Sequence, residues 1–248
     1  MDISPGRSAF DTAYAAGRSQ VVWTELPADI ETPVSVMLKL GQERRFTALL
    51  ESVQGGITRG RYSFIALEPD LVWRCNGAKA EICRDVREGA LRYAPEALPA
   101  LASLRALLKE SRIDMPEHLP PNSAGLMGYM GYDTVRLAEN IPNKNPDTLG
   151  IPDGMFMRPT VSVIFDNVDD VMTIVVPVYP KAGVSVDLAY AIAKSVLGQN
   201  PRLKQAIAAA SETLAENAGK NTFLPYHPGA ARYLREVGQT IPDKLVMA

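Results

Sequence analysis

Three observations predict that this 248-residue chain combines antiparallel β-hairpins with amphipathic helices. Val161-Ser162-Val163-Ile164-Phe165-Asp166 and the β-branched run over residues 171–179 are separated by a short polar turn, the clearest hairpin in the sequence. Asn76-Gly77, a strong turn signal, joins apolar runs at 71–76 and 79–84 into a second hairpin. Leu101, Leu104, Leu107 and Leu108 recur at helical spacing over residues 99–112 and form one apolar face for packing.

In chain order, residues 5–18 predict a helix that Ser8 caps and Gly17 stops. Residues 20–26 alternate as a strand ended by Pro27. Thr32 before Pro33 fits the cap and first position of a short helix that ends at Gly41. Strands are predicted at 45–52, 61–67, 71–76 and 79–84. Pro116, Pro120 and Pro121 mark a loop, a seam between portions 1–120 and 121–222. Gly125, Gly128 and Gly131 lack the lysine of a phosphate loop and read as sites of close backbone packing beneath aromatic rings. Tyr132-Asp133 opens a helix toward Glu139, and residues 143–153 form a polar loop. Helices are predicted at 186–197 and 202–217, before a tail at 223–248.

Composition excludes several classes. A hydrophobic share of 46% and a charged share of 22% are those of an ordinary globular protein. A formal charge of −2 and a pI near 5.8 argue against nucleic acid or an anionic membrane as partner. No apolar run approaches the roughly 20 residues of a membrane span, and the N-terminus lacks the blocks of a signal peptide, so a cytoplasmic protein is expected. Arg44, Arg45 and Arg84 read as solvated surface. Cys75 and Cys83 read as free thiols, with Cys75 a small core hydrophobe. His118 and His227 read as loop histidines, and Asp166, Asp169 and Asp170 as turn residues rather than calcium ligands.

The residues that carry chemistry lie around one polar turn. Glu51 and Ser52 end one apolar run, and Arg61 begins the next. Together they can hold a zwitterion, the carboxylate taking its ammonium and the guanidinium its carboxylate. Ser52 reads equally as a strand-end hydroxyl capping its own turn. No acid–base pair or cluster of metal-binding carboxylates stands out, so no catalytic or metal residue is assigned to this chain.

Glu31-Thr32-Pro33-Val34, Leu50-Glu51-Ser52, Gly60-Arg61-Tyr62-Ser63-Phe64-Ile65, Glu68-Pro69-Asp70, the 125–132 stretch with Asp133 and Arg136, and the Phe165-Asp166 hairpin follow one another in this order. In that order they resemble the N-terminal portion of the anthranilate synthase large subunit (component I) family. The resemblance implies an α+β fold, a sandwich of large antiparallel sheets with flanking helices, and Leu50, Glu51, Ser52 and Arg61 as one wall of a tryptophan feedback site. It also implies conversion of chorismate and ammonia to anthranilate and pyruvate in tryptophan biosynthesis. That activity uses Mg2+ and a glutamine amidotransferase partner. In the family, the chorismate, metal and catalytic groups lie beyond the matched stretch. The chain alone is therefore expected to be inactive and to bind no metal. A non-catalytic amino-acid-binding module and a paralogous chorismate enzyme, such as the aminodeoxychorismate synthase large subunit, are the alternatives. Residues 223–248 match nothing in the family pattern.

Overall fold

The computed structural model describes residues 3–29, 31–41, 44–51, 60–86, 90–120, 122–144, 146–180 and 185–191. Local chemistry sets the first elements. Helix α1 (Arg7–Ala15) starts at Gly6, not at Ser8. Ser8 lies inside the first turn, where its carbonyl accepts from Thr12 Oγ1, so it cannot cap. Gly17, at φ 69°, ends the helix in the left-handed conformation that only glycine adopts freely, and Arg18 N–H closes the turn on the Ala13 carbonyl. Strand β1 (Gln20–Pro27) follows, then α2 (Pro33–Gly41). At the start of α2, Ser35 N–H donates to Thr32 Oγ1 and Thr32 N–H to Ser35 Oγ, both at 3.0 Å. This reciprocal cap satisfies two orphan donors.

The strands β2 (Ala48–Leu50), β3 (Tyr62–Leu67), β4 (Leu71–Asn76), β5 (Lys79–Cys83) and β6 (Ala94–Pro95) come next. The strand expected from residue 45 is shorter. Phe46, at φ 55°, takes a left-handed backbone that cannot continue a ladder. Helix α3 (Ala100–Glu110) buries Ala100, Ser103 and Leu107 and turns Leu108 to solvent, so its inner face is rotated from the predicted leucine stripe. The chain continues through β7 (Met127–Met130), a 3-10 turn (Tyr132–Leu137), β8 (Gly154–Arg158), β9 (Val161–Asp166) and β10 (Val171–Val178). Residues 186–191 are helical, and the remainder of that predicted helix and the one at 202–217 lie outside the described residues.

Among the described residues two five-stranded antiparallel sheets result, one in the order β1-β10-β9-β3-β2 and the other β6-β5-β4-β8-β7. Both sheets contain strands from either side of residue 120. Helices α1 and α2 cover one face of the first sheet over Val22, Ile65, Val163 and Ile174. Ile113, Met115, Leu119 and Ala124 cover the other face around Val21, Ile164 and Val175. Central β9 is consequently buried on both faces and reads as a continuous apolar run. Helix α3 packs on the second sheet over Leu71, Trp73 and Ile82, and Trp73 Nε1 donates to Ser103 Oγ at 2.9 Å. Each fully buried side chain of this size contributes about 1.5–3 kcal/mol. Cys75 and Cys83 are buried and free.

The sheets meet at a bend crossed by two paired strands side by side. β3 passes into β4 through residues 68–70, while β8 passes into β9 through residues 159–160. Across it Asp70 N–H donates to the Arg158 carbonyl (3.1 Å) and Thr160 Oγ1 to the Glu68 carbonyl (2.6 Å). Strands β7 and β8 carry no alternation to announce them: β7 falls in the glycine stretch read for close backbone packing, and β8 directly follows the polar loop at 143–153. Gly128 explains their closeness. A Cβ there would strike the Met155 carbonyl and stand 2.7 Å from Phe156 Cα. That is the close backbone approach expected of the glycines.

Candidate functional site

The Leu-Glu-Ser motif ends an edge strand. β2 pairs with β3 through Ala48↔Ala66, Leu49↔Ile65 and Leu50↔Phe64, a register that carries its C-terminal end toward the start of β3. Leu50 and Glu51 are exposed there, and Ser52 lies outside the described residues. Arg61 directly precedes β3. Gly60, at φ 80°, takes the left-handed turn that aims the chain into the strand, and its carbonyl accepts from Asn167 Nδ2. Leu50, Glu51 and Arg61 thus lie on neighbouring strand ends of one sheet.

Arg61 has partners that its local sequence does not announce. Its Nε lies 2.9 Å from both Asp166 oxygens, and its Nη2 lies 2.6 Å from Asp166 Oδ2 and 2.7 Å from Asp169 Oδ2. Pairing of β3 with β9 places Tyr62 opposite Asp166 and so brings these groups together. Asp166 also accepts from Val168 N–H, the expected turn chemistry. Burial pushes the Asp166 carboxyl up, but the bonds from Arg61, Val168 and Asp169 outweigh it and hold the carboxyl below its usual range. The same Asp166 bond raises Arg61 further, against partial desolvation. Nη1 of Arg61 takes no part in these bonds. Two carboxylates on one guanidinium, with Glu51 nearby on the next strand, leave the edge net negative and suited to an ammonium.

A second charged cluster fills the bend. Arg158 is buried, with its side chain 8% exposed, and grips Asp70 with Nε–Oδ1 at 2.8 Å and Nη2–Oδ2 at 2.6 Å. Its Nη1 reaches Glu110 and Ser111 Oγ at 3.4 Å, and its guanidinium lies 4.4 Å over the Tyr179 ring. Arg84 bonds both oxygens of Glu110 and holds that carboxyl below its usual range against burial. Arg44 pairs with Glu68 and is mostly buried. Arg44 is therefore a structural partner rather than solvated surface, while Arg84 is exposed, as expected, and pairs with Glu110 at the surface. Burial pushes the Tyr179 phenol up to about 12, with Asp70 and Glu110 adding to the rise and Arg158 opposing it. A cavity of about 370 Å³ opens beside this cluster, between Ser19, Leu71 and Pro180. A larger cleft of about 740 Å³ lies beside β7, lined by Tyr129, Tyr132, Arg136, Leu149 and Ile151 among others.

Among the described residues no group of three or more His, Cys, Asp or Glu is placed to hold a metal. The acids nearest these sites are committed elsewhere: Asp166 to Arg61, Asp70 to Arg158, and Asp153 to Gly77 N–H. The described residues therefore do not fit the Mg2+ that the resemblance implies, and no step is derived through it. His118 is an exposed loop residue beside the Trp23 ring, and His227 lies outside the described residues. Among the described residues no helix is long and apolar enough to cross a membrane.

Comparison with known proteins bears on the motif order. "Anthranilate synthase component 1" of Cereibacter sphaeroides is 47% identical over 183 residues, 74% of this chain and 37% of that protein. The resemblance is to the anthranilate synthase component 1 family. The component 1 of Aquifex aeolicus is 34% identical over 176 residues, 71% of this chain and 34% of its own length. That of Acinetobacter calcoaceticus is 28% identical over 246 residues, 94% of this chain and 48% of its own. The chain spans about a third of the length of the first two component 1 relatives. A solved structure, anthranilate synthase component I from Streptococcus pneumoniae TIGR4, aligns at 21% identity and a TM-score of 0.40. It covers 69% of this chain and 35% of that one. A family model described as NMT1-like family matches residues 162–238, less than half of the chain.

Sequence reasoning identified the motif and missed its supports. Asp166 and Asp169 were visible only as turn residues, because the bond to Arg61 depends on strand register. Nothing local signals Arg158 as a buried charge, although its partner Asp70 stands in the Glu68-Pro69-Asp70 motif.

Proposed function

We propose that this chain forms the N-terminal portion of an anthranilate synthase component 1. The complete protein would convert chorismate and ammonia to anthranilate and pyruvate in the cytoplasm, with a glutamine amidotransferase subunit supplying ammonia. The 47% identity to the Cereibacter protein carries this reading. Within it, Leu50, Glu51 and Ser52 form one wall of a tryptophan feedback site. Arg61 stands beside them, held by Asp166 and Asp169, with Nη1 left to meet the amino-acid carboxylate. Glu51 and the Asp166–Asp169 pair favour the ammonium end. This portion contributes regulation, and the chemistry belongs to groups outside it, so the 248 residues alone turn over no chorismate.

The test is an anthranilate fluorescence assay on these 248 residues with chorismate, Mg2+ and ammonium, beside the same chain mixed with the remaining two thirds of the Cereibacter protein. Silence alone and tryptophan-inhibited anthranilate production in the mixture are expected. Turnover by the 248 residues alone would overturn the regulatory reading. Tight tryptophan binding by them, with no turnover in the mixture, would make the chain an amino-acid-binding module instead.

A further inference from the structure

We infer that Asp169 sets the ligand specificity of the Arg61 site: its carboxylate stands in for a ligand carboxylate on the guanidinium, and the ligand that displaces it most readily is a zwitterion. The inference deepens the reading of Arg61 as the group that meets an amino-acid carboxylate, and rests on it. An arginine offers carboxylates two forked edges, one of Nε and Nη2 and one of Nη2 and Nη1. Asp166 fills the first, with Nε 2.9 Å from both its oxygens and Nη2 2.6 Å from Oδ2. Asp169 Oδ2 accepts from Nη2 at 2.7 Å. With one Nη2 proton committed to Asp166, that bond falls on the second edge and fills half of it. The other half is Nη1, which takes no part in these bonds.

The two acids are held differently. The Asp166 side chain is 11% exposed and also accepts from Val168 N–H, whereas the Asp169 side chain is 61% exposed and is tied to Arg61. The turn that carries both is pinned without Asp169. Asn167 N–H donates to the Arg61 carbonyl at 2.7 Å, and Asn167 Nδ2 to the Gly60 carbonyl at 3.2 Å. Asp169 therefore leaves by a side-chain rotation alone, while Asp166 and the Tyr62 ring, 5.1 Å from the guanidinium carbon, keep Arg61 in place. A ligand carboxylate on the freed edge accepts from both Nη1 and Nη2 and replaces one bond with two. Release of Asp169 breaks an exposed ion pair, which sets any carboxylate back by about three- to five-fold in affinity. A ligand that also carries an ammonium gives the released Asp169 a new partner and recovers that loss. A plain carboxylate does not, so Asp169 selects amino acids over acids of the same shape.

The experiment follows the Arg61 guanidinium signals of this chain by NMR, which reads weak binding, during titration with tryptophan and with indole-3-propionate, the same skeleton without the ammonium. Asp169→Asn and Asp169→Ala remove the stand-in, the second without leaving an amide on the fork. Asp170→Asn removes an equal charge from the same turn, at an exposed residue of φ 51° where asparagine is at ease. In both Asp169 variants indole-3-propionate is expected to half-saturate Arg61 at about three- to five-fold lower concentration than in the parent chain, while tryptophan gains nothing. Asp170→Asn is expected to behave as the parent. Arg61 signals that neither ligand moves, or indole-3-propionate binding that the Asp169 variants leave unchanged, overturn the inference. So does an equal gain in Asp170→Asn, because charge alone then acts, or an equal gain for tryptophan, because nothing is then selected. The expected pattern at Arg61, with no tryptophan inhibition of anthranilate production in the mixture with the Cereibacter remainder, removes the feedback reading and leaves the amino-acid site standing. Inhibition in that mixture with an unresponsive Arg61 does the reverse.

Discussion

Arg158 and Asp70 face each other across the bend between the two sheets, joined by two nearly parallel hydrogen bonds of 2.8 and 2.6 Å. Each residue sits at a strand end where the chain leaves one sheet for the other. Tyr179 stacks on the guanidinium and donates to the Ser111 carbonyl at 3.2 Å, so helix α3, the bend and the end of β10 share one polar knot.

Removing half of that pair leaves a buried charge without its partner. Arg158→Met is expected to destabilise the protein by on the order of 3 kcal/mol. The double variant Arg158→Met/Asp70→Leu should recover much of the loss, because neither charge then remains buried. Urea unfolding of both variants measures this, and a double variant less stable than the single one would contradict it.

Tyr179 gives a signal at high pH. Burial raises its folded pKa to about 12, above its ordinary value of 10.0. The sign follows: the stabilisation is full below pH 10 and is lost as pH rises through about 12. Absorbance at 295 nm during alkaline titration should show a late ionisation that coincides with unfolding and is absent from Tyr179→Phe.

At the other extreme, Asp166 titrates below its ordinary value of 3.8 in the folded protein. A depressed carboxyl contributes stability above the ordinary value and loses it as pH falls through the folded one. Asp166→Asn should be less stable than the parent chain at pH 7, with the gap closing as the pH is lowered below the carboxylate range. Chemical denaturation at a series of acid pH values tests this, and a constant gap would separate Asp166 from the acid response.

Ser52 tests the feedback wall. In a component 1 of the relatives' full length, Ser52→Ala or Ser52→Phe is expected to relieve tryptophan inhibition and leave turnover largely intact. On the proposed reading the 248 residues alone hold only one wall of the site and should bind tryptophan hundreds-fold more weakly than the full-length protein, a difference of about 3–5 kcal/mol. Tryptophan titration of anthranilate production measures the first, and calorimetry the second. Unchanged inhibition in the Ser52 variants would remove this residue from the pocket.

Local chemistry was legible in the sequence, and geometry set by distant partners was not. Thr32-Pro33 and Asn76-Gly77 predict a cap and a turn from a few adjacent residues, and both are present. The apolar runs at 61–67 and 161–166 predict strands but not that they pair with each other. That pairing decides which acids reach Arg61. β7 escaped notice because its glycine and its exposed Tyr129 and Met130 follow no period, their packing being set by β8. Of the site, Leu50, Glu51 and Arg61 were legible through a motif. Asp166 and Asp169 needed the register of β3 on β9.

The position of β3 also orders events during synthesis. One side of β3 is met at once by its near neighbour β2, but the other waits for β9, where the Asp166 that holds Arg61 lies 105 positions later. Until that hairpin leaves the ribosome, the strand that starts at Tyr62 exposes an unpaired flank, and Arg61 has neither of its carboxylates. Such a separation makes the nascent chain slow to close and prone to wrong strand partners in the interval. A chaperone that shields extended apolar segments would find its substrate in the first half of this polypeptide, and would be released by the arrival of residues 161–178.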